Sequence, residues 1–143
     1  MNSLRVVRRM HRAAREVVAL VEEVAAAAGL TATELDVLGV LVDRAPSVVA
    51  GLLEESGYKP STLTSILDRL AARGWVSRET HPDDRRSFVV ALTPAGRRAA
   101  RALEARLAPI EREVVRRIPR ADVDTILGLP ARLEAVARRA RTA

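Results

Sequence analysis

The chain has 143 residues, 48% of them hydrophobic, and no cysteine. That length supports one compact domain with an apolar core, and the missing thiols exclude disulfides, cysteine-ligated zinc and thiol-based redox sensing. Against 18 acidic side chains stand 24 basic ones, a formal charge of +6, which favours a polyanionic partner without separating nucleic acid from an anionic surface.

All basic residues but Lys59 are arginine. Genome composition alone produces such a bias, so charge by itself does not single out DNA. The opening stretch has basic residues threaded through its apolar ones, unlike a signal peptide. No run of eighteen apolar residues occurs, so no membrane partner and no membrane span are expected, and the protein is expected in the cytoplasm.

From Leu4 to Ala28 there is no Pro or Gly, and Leu4, Val7, His11, Ala14, Val18, Val21 and Ala25 recur at three- and four-residue steps. This predicts one long amphipathic helix. Val6, Met10, Val17, Leu20 and Val24 widen its apolar stripe, so the helix needs partners on two sides. Gly29 ends it. Thr31 and Glu34 then form a capping box, with Leu30 and Leu35 placed for a hydrophobic staple, and a second helix runs to about Val42. Pro46 and Ser47 are expected to open a third helix, stopped by Gly57. A fourth begins at Pro60 and carries Leu63, Ile66, Leu67 and Leu70 on one face, with Ser61, Thr62, Ser65, Asp68, Arg69 and Arg73 opposite, before Gly74 closes it.

The period then changes to that of strands. Val76–Thr80 and Ser87–Leu92 read as a β-hairpin with Phe88, Val90 and Leu92 on one side and the charged tip HPDDRR between them. Thr93 caps and Pro94 begins the next helix, in which Leu103, Leu107, Ile110, Val114 and Ile118 keep helical spacing and Pro109 is expected to cause a bend. A last helical segment from Asp122 to Ala140 is expected to be interrupted at Pro130.

The fold class is therefore mainly α with a small β-hairpin wing. A winged helix-turn-helix domain over residues 30–97 is flanked by dimerisation helices over 1–28 and 98–143. A bracing helix, a tight turn, a helix with a polar free face and a basic hairpin suit DNA reading. Ser61, Thr62, Thr64 and Ser65 can meet base edges or phosphates in the major groove, Lys59, Arg69 and Arg73 can reach phosphates, and Arg85 or Arg86 can probe the minor groove.

The segment GYKPSTLTSILDRLAARGWVSRETHPDDRRSFVVALTPAGR resembles the recognition helix, wing and following helix start of the multiple antibiotic resistance regulator (MarR) family. Asp84, Arg86, Val90, Leu92 and Thr93 match that family's wing signature in spacing. The resemblance is strong from about Leu30 to Arg97. It implies a homodimer with intertwined terminal helices on a pseudo-palindromic operator, Arg86 as the minor-groove residue and Asp84 as the carboxylate that positions it. It also implies that a small-molecule effector binds between the dimer helices and the winged domain and releases a repressor. Three positions depart from the pattern: Lys59 stands where an N-cap hydroxyl is usual, and Leu53 and Ser56 replace a small and a large apolar residue in the bracing helix.

His11 lies in the apolar stripe of the first helix and is the one weak candidate for an effector contact. Two isolated histidines without a carboxylate pair at ligand spacing predict no metal, and no cofactor motif is present. Asp83 and Asp84, adjacent on a turn, are poorly placed for acid–base work, so no enzyme is expected. Tyr58 and Trp75 are expected to pack the winged core. The alternative function is a winged-helix protein interaction module, which salt dependence separates from a DNA reader.

Overall fold

The computed structural model describes residues 3–142; the side chains at positions 3, 4, 85, 86, 114, 120, 124, 126, 127, 130 and 142 lie outside that description. Helix α1 spans Ser3–Ala27 and α2 spans Ala32–Arg44. Strand β1 is Ser47–Val48, followed by α3 (Val49–Ser56) and α4 (Pro60–Ala72). Strands β2 (Val76–His81) and β3 (Asp84–Leu92) form the hairpin, and α5 (Pro94–Arg117) and α6 (Arg120–Thr142) complete the chain. Two compact units result: the first runs through Glu104 and the second begins at Ala105. Helix α1 therefore shares a unit with the winged elements.

The capping box at the start of α2 forms as the sequence predicts. The Thr31 hydroxyl accepts from the Glu34 amide at 3.3 Å, and the Glu34 carboxylate accepts from the Thr31 amide at 2.7 Å. Satisfying two end-of-helix donors at once fixes where α2 begins. From α2, Val37, Leu38 and Leu41 are buried; Leu52 joins them from α3, and Leu63, Ile66, Leu67 and Leu70 from α4. Fully burying each such side chain contributes about 1.5–3 kcal/mol. That common core makes α2, α3 and α4 one packed body.

Helix α4 ends in a left-handed residue. Gly74 has φ 69°, and the amides of Gly74 and Trp75 return to the carbonyls of Ala71 and Leu70, a reversal that a side chain at position 74 would strain. The chain enters β2 directly, and the sheet has the order β1-β3-β2, antiparallel throughout. Val76, Val90 and Leu92 close the core from the sheet side.

Three expectations need correction. Pro46 and Ser47 do not open α3: Ser47 and Val48 pair with Val90 and Val89 as a third strand, and the helix starts at Val49. Two residues carry no period, and their partner lies about forty positions on, so nothing local announces the strand. The hairpin tip is shorter than HPDDRR, because Asp84–Arg86 already belong to β3 and only Pro82 and Asp83 turn. The side expected of Phe88, shared with Val90 and Leu92, is the one observed, and the ring is half-exposed there. Helix α6 runs on through position 130; a proline removes one backbone donor, which a long helix tolerates.

Among the described residues no single helix is long and apolar enough to cross a membrane; α1 and α2 pass that test only as a pair bent by 86°.

The start of α5 is pinned to the end of α4. Thr93 donates through its hydroxyl to the Gly74 carbonyl at 2.6 Å and accepts from the Gly96 amide at 3.0 Å, while its own amide donates to the Trp75 carbonyl at 2.9 Å. This close approach leaves no room at Gly96: a Cβ there would sit 2.0 Å from the Trp75 carbonyl oxygen. Gly96→Ala is therefore expected to destabilise the fold by at least about 2 kcal/mol, since backbone must move. Gly39→Ala, where a Cβ meets nothing within 4 Å inside α2, is expected to stabilise it by about 0.5–1 kcal/mol. Urea melts of the two variants check this, and equal effects would contradict the packing described.

Candidate nucleic-acid interface

Helix α4 has two faces with opposite fates. One is buried through Leu63, Ile66, Leu67 and Leu70; the other exposes Ser61, Thr62, Thr64, Ser65 and Asp68. The hydroxyls of Ser61, Thr62 and Ser65 make no hydrogen bond within the described residues, whereas Thr64 donates to the Pro60 carbonyl at 2.9 Å. Lys59, exposed at the N-cap position, supplies no side-chain acceptor. The first-turn amides of α4 thus keep their partial positive charge, the arrangement that suits a phosphate oxygen.

The C-terminal half of α4 is engaged inside the fold. Arg69 donates through Nε to Glu34 Oε1 at 2.8 Å. Glu34 is only 2% exposed. Burial pushes its pKa up, but the Thr31 amide, the Arg69 guanidinium and the Thr31 hydroxyl together outweigh that and hold the carboxyl below its ordinary 4.5. Arg73 donates to the Gly29 carbonyl and lies over the Trp75 ring, 5.4 Å from its centroid. Both arginines, read from the sequence as phosphate contacts, thus brace α4 against the α1–α2 corner.

Sequence reasoning missed a third brace. Arg78 of β2 pairs with Asp68 at 2.7 Å and donates to the Thr64 carbonyl at 3.3 Å, tying the hairpin to α4. Tyr58 is half-buried and donates to Asp36 at 3.0 Å; burial and the Asp36 carboxylate push its phenol up to about 12. It links the turn before α4 to α2. No sequence period announces these pairs, because their members lie 10, 22, 35 and 44 positions apart.

The wing residues are brought alongside. Asp84, Arg85 and Arg86 begin β3, with Asp84 opposite His81 and a register shift before the next pair, Thr80 with Phe88; the side chains of Arg85 and Arg86 are outside the described residues. His11 is exposed on α1 and takes no part in this surface. Among the described residues no group of three His, Asp or Glu could hold a metal.

Residues 28–87 match the MarR family profile. The repressor NicR of Pseudomonas putida is 36% identical over 67 residues, covering 47% of this chain and 42% of NicR. The chain's match spans less than half the length of such curated relatives. A probable transcriptional regulator from Pseudomonas aeruginosa superimposes with a TM-score of 0.72 at 29% identity, over 89% of this chain and 96% of that one. A mutant of Escherichia coli MarR in complex with operator DNA gives a TM-score of 0.76 over 93% and 99%, at 22% identity, a likeness of fold.

Two outcomes follow from the braces. Glu34→Gln is expected to lower stability by about 1–3 kcal/mol at neutral pH. Because the folded carboxyl titrates below its unfolded value, the charge contributes fully above about pH 4.5 and is lost as pH falls through the lower folded value, so the gap between variant and parent should narrow as pH falls below 4.5. Urea melts across that range check the sign. Arg78→Ala, removing a half-exposed pair, is expected to cost less than about 1 kcal/mol globally yet to speed amide exchange along β2, while α2 keeps its protection.

Proposed function

We propose that this chain, whose residues 28–87 match the MarR family, belongs to that family and is a DNA-binding transcriptional regulator. In this reading it acts as a homodimeric repressor on a pseudo-palindromic operator, in the cytoplasm, and a small-molecule effector releases it. The family comprises transcription regulators, not enzymes.

The observation that carries the reading is the outer face of α4. Three hydroxyls stand unengaged on a helix whose opposite face is buried and whose far end is braced in three places. Rigid placement of short hydrogen-bonding side chains is what base reading in the major groove requires, since each good contact discriminates by about 1–3 kcal/mol only when geometry is fixed. Ser61, Thr62, Thr64 and Ser65 take that role, Lys59 and the α4 N-terminus take a phosphate, and the wing takes the minor groove through Arg85 and Arg86, with Asp84 positioning Arg86.

Dimerisation is assigned to residues 1–28 and 98–143. Helix α1 exposes Val7 and Val18, α5 exposes Val115, and α6 exposes Val136, a recurrence of apolar surface that a partner would cover. For the effector, a cleft of about 240 Å³ lies beside the end of α2 and the first turns of α5, with Leu41, Val42, Leu92 and Ala100 as apolar lining and Arg97, Arg101 and Glu104 as charged lining of both signs.

Selection from a random DNA pool should return an inverted repeat with half-sites about 10 base pairs apart. On that operator Arg86→Ala is expected to weaken binding by about 1–3 kcal/mol and to make its salt dependence shallower by about one phosphate per subunit. Asp84→Ala should weaken binding too, although it removes a negative charge, because the arginine loses its pre-organisation. Affinity that ignores salt would point to a protein-interaction module instead.

A further inference from the structure

The hairpin register sorts its side chains into two faces. Val76 opposes Leu92, Arg78 opposes Val90, and Thr80 opposes Phe88; directly opposed residues share a face. On this face Val76, Val90 and Leu92 are buried, and Arg78 is bonded to Asp68 and the Thr64 carbonyl of α4. This is therefore the side of the hairpin turned towards α4. The next rung outward on the same face carries Phe88, the one phenylalanine of the chain, 49% exposed. Its cross-strand neighbour Thr80 is exposed too. The core has ended by this rung, so packing does not account for an aromatic there.

Position along the strand says what the ring can meet. The rung at Val90 is fixed to α4 through Arg78, and position 86 lies two residues beyond Phe88 towards the tip, past the point where the register shifts between Thr80 and His81. Phe88 thus stands between the helix assigned to the major groove and the arginine assigned to the minor groove. What separates two adjacent grooves is a sugar–phosphate strand, and the apolar surface on that strand is the deoxyribose. We propose that the Phe88 ring packs on a deoxyribose of this strand, an apolar, sequence-independent contact that seats the wing between the two grooves; the inference rests on the DNA-reading assignment above.

The test is a salt titration of operator affinity for the full-length parent, Phe88→Ala, Phe88→Leu and Arg86→Ala, with sedimentation of each variant. Covering a half-exposed aromatic predicts that Phe88→Ala weakens binding about tenfold. The slope against salt should stay that of the parent, because an apolar contact releases no counterion. The loss should be the same on operators altered in single base pairs, and Phe88→Leu should recover most of it. A slope that becomes shallower, as for Arg86→Ala, would mean that Phe88 only props the hairpin, and overturns the contact. Unchanged affinity overturns it as well, whether or not self-association shifts, and a shift would mark Phe88 as covered by a second copy. A parent without salt-dependent DNA binding overturns the functional reading and this inference together; a parent that binds normally beside an unaffected Phe88→Ala overturns this inference alone.

Discussion

Glu34 carries its charge almost out of water, and the groups that compensate for it also determine where α4 lies. A buried carboxylate is tolerated only when hydrogen-bonded and paired. Here the Thr31 amide and hydroxyl come from its own helix cap, and the Arg69 guanidinium comes from α4. The pair does not need to add much net stability, since desolvation offsets most of its attraction. Its effect is on register. An apolar face such as Leu63–Leu70 can slide by a helical turn against its neighbours at modest cost, but a shifted α4 would leave Glu34 without its cation.

That arrangement divides α4 into a held half and a free half. Arg69 and Arg73 in the second half, and Asp68 through Arg78, are committed to internal contacts. Ser61, Thr62 and Ser65 in the first half are not. In the proposed DNA-reading role, cations would come from outside the end of the helix, from Lys59 and the wing, and the net charge of +6 cannot be assigned to α4 itself. An exposed guanidinium on a helix therefore does not by itself identify a phosphate contact; what decides is whether an acceptor of the same fold reaches it first.

Much of the architecture was legible because its signals are local. The capping box at Thr31 and Glu34, Pro60 at the start of α4, Gly74 at its end and the Thr93–Pro94 entry to α5 all sit within a few residues of what they control. The wing signature from Asp84 to Thr93 carried the family resemblance in the same way. What escaped was long-range. Strand β1 is two residues long and exists because β3 lies beside it, Gly96 matters because the Trp75 carbonyl crosses it, and the partners of Arg69, Arg73 and Arg78 depend on how helices pack. Strand alternation gave the side of Phe88 correctly, but not where along that side the core stops.

The braces also differ in strength, and that ordering says which parts of the first unit move together. The Arg69–Glu34 contact has one partner out of water, and leaving that carboxylate unpaired costs about 1–3 kcal/mol or more. Arg73 instead reaches the Gly29 carbonyl at an exposed site, where water replaces the bond readily, so its net contribution is about 0.5–1.5 kcal/mol, with a further fraction from the Trp75 ring. Helices α2 and α4 are thus joined by the stiff link and share the buried core, while the end of α1 is joined to α4 by the compliant one. The corner is also held to α2 by apolar packing, since Ala25 of α1 and Leu30 beside it are buried, so Arg73 is an addition to that packing and not a substitute for it.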